Sequence, residues 1–235
     1  AVAQQPLEVG GRGRATVERV VDLPLHAHLH VRVMAEKVQR ERERERGGVV
    51  PPGDIRKCIL AMSADTKSAF ARAFSHRFSY LDDHSLGNHI LIAFAEEMGS
   101  FPDAIHICEY MLDARGHVYP STLGDVSLTG VTVDGQELSG EHNIGDAPCR
   151  MQTVTLHPAH VQAHPAALNQ IRAAEFIVLG PGSLFTSIIP NLLVPGVLES
   201  IRKAKAREEN PAKTVFVCSL ADMQGETWGM NCYDY

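Results

Sequence analysis

Cysteine is scarce in this chain, which has only five cysteines among 235 residues and no C-x-x-C pair. Because their number is odd and no apolar signal-peptide core precedes them, the pattern argues against a disulfide-stapled scaffold and predicts a reducing, cytoplasmic setting. Long apolar runs are also missing. The longest, such as Ile90 to Ala95, fall far short of the roughly 18 residues that a membrane span needs, so we predict no membrane-spanning segment.

An excess of positive charge is absent as well. The chain has 22 Lys and Arg against 28 Asp and Glu, a formal net charge of -6. Without a basic face to release counterions from a phosphate backbone, nucleic acid is not expected as a partner. What the chain does have is 44% hydrophobic and 21% charged residues, which is typical of a folded protein with a sizeable core.

The chain changes in character near residue 50. Residues 1–48 contain one predicted short strand, Leu25 to Val33, and the alternating Glu-Arg run from Glu41 to Arg46. Alternate residues of the strand are histidines, and such positions lie about 6.5–7 Å apart. Since no nearby Cys or carboxylate completes a ligand set, we predict no metal site at His26, His28 and His30.

From Pro51 onward, helical and strand periods alternate as in an α/β protein. Helices are predicted over Ile55 to Met62, Asp65 to Phe78, Leu86 to Met98, Phe101 to Gly116, Pro165 to Ala174 and Val197 to Arg207. Strands are predicted over Gln152 to Leu156, Glu175 to Leu179 and Thr214 to Leu220. A small antiparallel β insertion is predicted at about 117–151, around the tight-turn pair Asp134-Gly135. The β-α-β order predicts a mainly parallel sheet with helices on its faces.

The most informative segment is the turn Gly180-Pro181-Gly182-Ser183, which follows a buried strand and precedes a helix. Main-chain N–H groups of such a turn converge near the carboxyl edge of a sheet, where they bind anions. Ser183 either caps the helix or donates to a ligand, and Thr186 and Ser187 add hydroxyls one turn later. The pattern matches neither the dinucleotide nor the P-loop motif, so by itself it fits a phosphate site and a plain turn equally.

Three other polar groups lie at predicted helix ends. Asp54 and Arg56 bracket one helix start, where capping is the commoner role and ligand binding the alternative. Gly87 and Asn88 follow two acids and a histidine at another start, which suits either a ligand site or a turn and cap. Asn191 lies near the end of the helix that begins at Ser183, where its amide either closes the turn or reaches into a cleft.

The remaining histidines and cysteines do not predict a metal site or a catalytic site. His157, His160 and His164 match no zinc-ligand spacing, so no metal ligands are predicted there. Cys58 and Cys108 lie on apolar helical faces and Cys218 in an apolar strand, where thiols behave as small hydrophobes. No nucleophile with an adjacent base is visible, and catalytic residues are left unassigned.

Five strings occur in one order through the chain: Pro51-Pro-Gly-Asp-Ile-Arg-Lys-Cys58, Asp83-His-Ser-Leu-Gly-Asn88, Val118-Tyr-Pro-Ser-Thr122, the long run from Val178 to Val194, and Gln224-Gly-Glu-Thr227. Together they resemble the CofD/YvcK family, and specifically its YvcK branch, the gluconeogenesis factors. The resemblance covers about residues 49 to 235. The long run around Gly180 makes it far more specific than a generic turn pattern.

The resemblance implies a Rossmann-like three-layer fold with a ligand cleft at the carboxyl ends of the strands. The YvcK branch implies a non-catalytic regulator of cell shape and wall synthesis under gluconeogenic growth, which binds a UDP-sugar such as UDP-N-acetylglucosamine. The sister branch implies the alternative, a 2-phospho-L-lactate transferase that uses Mg²⁺. By motif, the positions expected to line the cleft are Asp54, Arg56, Gly87, Asn88, Gly180, Pro181, Gly182, Ser183, Thr186, Ser187 and Asn191.

The chain departs from the family pattern at both ends. Members of the family usually open with a strand and a Gly-Gly-Gly-Thr-Gly turn, which residues 1–48 do not show. We interpret 1–48 as an atypical segment, either disordered or translated in a wrong frame, and 49–235 as a family domain that is incomplete at its C-terminus. An inactive fragment is therefore a third interpretation, and self-association as a homo-oligomer is left open.

Overall fold

The computed structural model describes residues 30–34, 53–80, 84–218, 225–231 and 234. The α-helices in these ranges are α1 Gly53–Met62, α2 Ala69–Ser75, α3 Leu86–Met98, α4 Phe101–Met111, α5 Glu141–Gly145, α6 Pro165–Ala173, α7 Ile189–Leu193 and α8 Val197–Lys205, and a π-helix, Leu184–Ile188, precedes α7. The strands are β1 His30–Met34, β2 Arg77–Phe78, β3 His84–Ser85, β4 Gly116–Pro120, β5 Ser127–Thr132, β6 Glu137–Ser139, β7 Met151–His157, β8 Phe176–Leu179 and β9 Lys213–Phe216.

Serine side chains start three consecutive helices. Ser68, Ser85 and Ser100 precede α2, α3 and α4, and each Oγ accepts a hydrogen bond from the main-chain N–H three residues later, at 3.1, 3.4 and 3.3 Å. Each hydroxyl thereby satisfies one of the N–H groups that a helix start leaves unpaired. At the other end of α3, Gly99 takes the left-handed conformation, with φ of 64°, that commonly terminates helices.

The α/β class is confirmed, and parallel pairing occurs in two places. β1 pairs with β4 in register from His30–Gly116 to Met34–Pro120, and β8 pairs with β9 from Phe176–Lys213 to Leu179–Phe216. β5 lies between β6 and β7 in an antiparallel sheet, and β2 pairs antiparallel with β3. Within the described ranges, these pairs do not join into one continuous sheet.

The antiparallel sheet lies later in the chain than the insertion predicted at about 117–151. β4 (116–120) is outside it, because it pairs in parallel with β1. β7 (151–157) belongs to it, although the segment from Gln152 to Leu156 was expected to be a strand of the parallel sheet. Period-two patterns are the same for both kinds of pairing, so the pattern found the strands but not their partners.

Two predicted helices are shorter in the structure. The helix predicted from Asp65 to Phe78 begins only at Ala69, because Asp65 accepts a hydrogen bond from the N–H of Lys67 at 2.8 Å and Ser68 then caps α2. Its last predicted residues form β2. The helix expected to end at Gly116 ends at Met111, and Gly116 instead begins β4.

Other expectations fall wholly or partly outside the described residues. The Glu-Arg run 41–46 lies outside them, and so do the first five residues of the strand predicted over 25–33 and the last two of the strand predicted over 214–220. β1 does fall within the segment 1–48, at 30–34, where the structure describes the main chain. The histidine side chains at 26, 28 and 30 are not among the described parts.

Two hydrophobic clusters form the core. The first joins α1, α2, α3, α4 and β4 around fully buried side chains such as Phe74, Ile59 and Leu91. The second joins α5, β5, β7, α6, β8, the π-helix and α8 around residues such as Ile144 and Val194. Burial of one such side chain stabilises the fold by about 1.5–3 kcal/mol. No single helix in the described ranges is both long and apolar enough to cross a membrane.

Candidate functional site

The Gly180–Ser183 turn begins where β8 ends. Gly180 has a φ of 89°, a conformation that side chains rarely adopt, and a Cβ added there would lie 2.5 Å from the carbonyl oxygen of Val217. The N–H of Val217 also donates to the carbonyl of Leu179 at 2.8 Å. Only glycine therefore fits at this position. The start of the turn is held against Val217, the residue that follows β9.

The rest of the turn lies at the surface. Pro181, Gly182 and Ser183 are all exposed. The carbonyl of Ser183 accepts hydrogen bonds from the N–H groups of Ser187 and Ile188, both at 3.0 Å, but its side chain makes no capping hydrogen bond. Side-chain capping, one of the two roles predicted for Ser183, is thus not observed, and the hydroxyl remains available to a ligand.

Gly182 has room for a side chain. A Cβ at this position would lie 3.4 Å from Cβ of Ser187, an ordinary van der Waals contact, and the φ of Gly182 is not positive. The fold therefore does not require glycine at 182. In the part of the chain that the structure describes, the main-chain N–H groups of Gly182, Ser183 and Leu184 have no hydrogen-bond acceptor, so they are free to bind an anion.

A pocket of about 310 Å³ lies beside this turn. It places Ser183 and Thr186 opposite α5 and a buried glutamate from the end of the chain, and its lining residues are Glu141, His142, Gly145, Asp146, Ser183, Thr186 and Glu226. The sequence interpretation named only Ser183 and Thr186. Glu226 stood in the Gln-Gly-Glu-Thr string without a role, and nothing in the sequence pointed to α5.

Glu226 connects the end of the chain to both sides of the pocket. Its N–H donates to the carbonyl of Gly145 at 3.4 Å, its carbonyl accepts from Met151 at 2.9 Å, and its Oε1 accepts from the N–H of Phe185 at 3.4 Å. The preceding Gly225 has a φ of 113°, and an added Cβ would collide with the carbonyl of Gly145. Gly225 and Glu226 therefore pack against α5 and the start of the π-helix.

Asn191 joins the turn to β4. Its Nδ2 donates to the carbonyl of Ser187 at 2.7 Å, and its Oδ1 accepts from the hydroxyl of the fully buried Ser121. Of its two predicted roles, closing the turn is therefore observed. Ser121 immediately follows β4, and its carbonyl accepts from the N–H of His164 at 2.8 Å.

Arg56 and Asn88 are buried in the first hydrophobic cluster. Their side chains are 5% and 7% exposed, and neither Nε of Arg56 nor Oδ1 of Asn88 has a hydrogen-bond partner among the described residues. Burial, with a smaller effect from the positive charge of Arg77, lowers the pKa of Arg56. Buried polar atoms without partners are costly, and a polar ligand could satisfy them.

Asp54 and Gly87 have structural contacts of their own. Asp54 lies inside the first turn of α1 and pairs with Nζ of Lys57 at 3.0 Å. Gly87 is buried, and an added Cβ would lie 2.7 Å from the ring and the carbonyl oxygen of Phe74. These contacts account for both residues without a ligand, and their role in ligand binding stays a prediction.

The predicted site residues thus form two groups. The residues from Gly180 to Asn191 gather where β8 and β4 end, next to the pocket. Asp54, Arg56, Gly87 and Asn88 lie on the first turns of α1 and α3, which contact each other in the first cluster.

The pocket carboxylates do not converge as metal ligands. Across the described residues, three or more potential ligand atoms come close together in one place, and it lies elsewhere, on α4 and β4. It includes neither a pocket acid nor His157, His160 and His164. Any cation in the pocket would therefore have to share its coordination with a bound ligand.

Comparison with known proteins matches almost the whole chain to one family. The family model described as 2-phospho-L-lactate transferase CofD matches residues 9–235. This match begins 40 residues before the segment, about 49 to 235, over which the sequence motifs resemble the family. The gluconeogenesis factor of Bacillus subtilis is 38% identical over 190 residues, covering 80% of this chain and 58% of that protein. The gluconeogenesis factor of Halalkalibacterium halodurans is 36% identical over 190 residues, covering 80% of this chain and 57% of that protein.

The fold is also found in a solved structure. A crystal structure of a protein from Bacillus halodurans superposes with a TM-score of 0.75 at 33% identity, and the match covers 88% of this chain and 65% of that chain. A second crystal structure of a Bacillus halodurans protein, described as a member of the UPF0052 family, gives a TM-score of 0.69 at 34% identity, covering 80% of this chain and 60% of that chain. The chain spans little more than half the length of the two curated relatives described above.

Proposed function

This chain belongs to the CofD family, and from that premise we propose that it is a cytoplasmic nucleotide-sugar-binding regulator. It binds a UDP-sugar such as UDP-N-acetylglucosamine and acts on cell shape and wall synthesis during gluconeogenic growth. The proposal draws on the name gluconeogenesis factor that its curated relatives carry. It also assumes that the two parallel pairs belong to one Rossmann-like, three-layer arrangement.

The observation that carries this proposal is the open main chain at Gly182. The N–H groups of Gly182, Ser183 and Leu184 are unpaired within the described structure, and the space at Gly182 admits a close approach. Three adjacent donors at the end of a strand suit the oxygens of a diphosphate. We therefore place the diphosphate on the main chain of the Gly180–Ser183 turn.

The acidic side of the pocket suits the rest of such a ligand. Glu141, Asp146 and Glu226 add negative charge opposite the turn, which disfavours a phosphate against them. Carboxylates accept hydrogen bonds, and the hydroxyls and amide N–H of an N-acetylated sugar donate them. In this proposal the sugar faces the carboxylates while the diphosphate stays on the turn. We also assign Arg56 and Asn88 to the ligand site as further polar contacts, because their buried Nε and Oδ1 have no hydrogen-bond partner among the described residues.

The same carboxylates favour one alternative, a CofD-like phosphotransferase. Mg²⁺ usually binds through one or two carboxylates together with substrate phosphates, and keeps several waters. The pocket offers carboxylates beside the turn but no preformed set of three ligands in the described structure. A transferase would also need an acceptor hydroxyl in line with the transferred group. The regulator needs neither, and is the simpler fit.

Calorimetric titration distinguishes these proposals. The folded chain is titrated with UDP-N-acetylglucosamine, and separately with GDP in the presence and in the absence of Mg²⁺. Saturable binding of the UDP-sugar alone supports the regulator. Binding of GDP only when Mg²⁺ is present supports the transferase, and no binding of either by a chain with intact secondary structure contradicts both and supports the inactive fragment.

A further inference from the structure

Two histidines and a glutamate meet on the side of the molecule formed by α4 and β4. His106 and Glu109 are three residues apart on α4, which places them on the same face of that helix. β4 packs against α4 and contributes His117, its second residue. The pocket beside the Gly180–Ser183 turn includes none of the three.

The three side chains converge on one carboxylate oxygen. Nδ1 of His106 lies 3.0 Å from Oε2 of Glu109, and Nδ1 of His117 lies 2.8 Å from the same oxygen. The ligand atoms of all three residues lie within 4.8 Å of one another. Two imidazole nitrogens and one carboxylate oxygen, three potential metal ligands, are therefore already directed at one another.

The glutamate is held rigidly while the histidines are accessible. The side chain of Glu109 is only 5% exposed, and its other oxygen, Oε1, accepts a hydrogen bond from the N–H of Val118 at 2.5 Å. The side chains of His106 and His117 are 47% and 45% exposed. A buried, oriented carboxylate with two imidazoles open to solvent combines a fixed ligand with a route of entry for an ion.

We propose that His106, Glu109 and His117 form a binding site for a divalent transition metal of the zinc class, with water completing its coordination. Two imidazole nitrogens and one carboxylate oxygen are a known ligand set for zinc with one open position. Imidazole ligands favour zinc, copper, nickel and iron, and disfavour the hard cations Mg²⁺ and Ca²⁺, which prefer oxygen ligands.

The geometry needs only a small adjustment to hold the ion. Zinc bonds of about 2.0–2.2 Å in a tetrahedron separate neighbouring ligand atoms by about 3.4 Å. The two N–O distances are 3.0 and 2.8 Å, so each imidazole has to withdraw by about half an ångström, which exposed side chains can do. Rotation of the imidazoles exchanges their hydrogen bonds to Oε2 for bonds to the metal and leaves the hydrogen bond from the N–H of Val118 to Oε1 of Glu109 in place.

Neighbouring groups are not needed as ligands. Cys108, next to Glu109 in the chain, is fully buried in the first hydrophobic cluster. The Tyr119 ring lies edge-on to His106, with ring centroids 6.1 Å apart, and stacks on His164 at 6.3 Å. These rings form an aromatic wall beside the site. The metal would therefore tie α4 to β4 through three residues alone.

The test is titration of the purified, metal-free full chain with Zn²⁺ under a phosphine reductant, which unlike a thiol does not compete strongly for zinc, compared with Mg²⁺. We expect one tight zinc site, no comparable Mg²⁺ binding, and affinity at least about tenfold weaker in each of His106→Gln and His117→Gln. The double variant should lose the site. The exposed His160→Gln is the matched control and should bind as the wild type does.

Two further measurements keep the result interpretable. A variant with glutamine at positions 26, 28 and 30 tests whether the histidines of that sequence trio contribute to binding, and should leave the tight site intact. Circular dichroism of every variant checks the fold. The histidine variants are expected to fold, because the side chains of His106 and His117, unlike that of Glu109, make no hydrogen bond to the main chain of the described residues. Tight zinc binding that survives in the folded double variant, or no saturable zinc binding in the wild type, would overturn the proposal.

Discussion

The hydroxyl of Ser121 donates a hydrogen bond to Oδ1 of Asn191, 70 residues later in the chain. Ser121 follows β4, and Asn191 lies in α7. The side-chain Nδ2 of Asn191 also donates a hydrogen bond to the carbonyl of Ser187 at 2.7 Å. This pair joins two of the strings that carried the family resemblance. It connects the end of β4 to the helical segment that follows the Gly180–Ser183 turn.

Replacement of Asn191 by alanine should destabilise the protein by about 1–3 kcal/mol, because the fully buried hydroxyl of Ser121 loses its acceptor. Urea denaturation measures the change in the free energy of unfolding. The matched control is Asn169→Ala, which removes an exposed amide bonded to Arg172 on α6. Equal losses in the two variants would contradict the role assigned to the Ser121–Asn191 pair.

The two glycines of the turn should respond differently to alanine. Gly180→Ala places a Cβ against the carbonyl of Val217 at a φ of 89°, so we expect a loss of about 1–3 kcal/mol in unfolding free energy. Gly182→Ala meets no close contact and should change stability little. Thermal or urea denaturation of both variants is the measurement, and a Gly182 variant as unstable as the Gly180 variant would disprove the assignment.

Gly182→Val tests the proposed diphosphate site. The fold tolerates a side chain at 182, but the added methyl groups would block the approach of a phosphate to the main chain. We expect UDP-N-acetylglucosamine affinity to fall by at least about tenfold, which is a loss of about 1.4 kcal/mol, with melting temperature preserved. Ala159→Val, at an exposed position away from the pocket, is the control. Unchanged affinity in folded Gly182→Val would place the ligand elsewhere.

His164 should make stability depend on pH. Burial, and secondarily the positive charge of His106, lowers its pKa from the ordinary value of 6.5. The unfolded chain then takes up the proton at higher pH than the folded protein, so stability contributed by neutral His164 is present above about pH 6.5. This contribution is lost as pH falls from 6.5 toward the lower pKa of the folded state.

Urea denaturation between pH 7.5 and 5 checks this expectation. The groups facing His164 are the stacked ring of Tyr119 and the imidazole of His106, and both remain in a His164→Gln variant. The difference in unfolding free energy between wild type and variant should become less favourable to the wild type as pH falls. The exposed His160→Gln should show no such trend, and a pH-independent difference for His164→Gln would contradict the assignment.

Local patterns predicted several elements well. α3 was predicted with its bounds, Leu86 to Met98, because its apolar spacing and flanking residues act within one or two turns. The Gly180–Ser183 turn was also found, since glycine in that conformation leaves a direct trace in the sequence. The helix predicted from Asp65 to Phe78 had wrong bounds, because a helical pattern does not reveal that Asp65 and Ser68 form a turn before the helix begins.

Amino-acid order alone determined the α/β class, the family resemblance and the residues of the turn, because periodicity, capping and steric preference are properties of short segments. Tertiary structure decided which strands pair, brought Glu226 to the pocket beside Thr186, and gathered His106, Glu109 and His117 around one oxygen. Strand pairing and converging side chains depend on packing between elements distant in the chain, which no local spacing encodes.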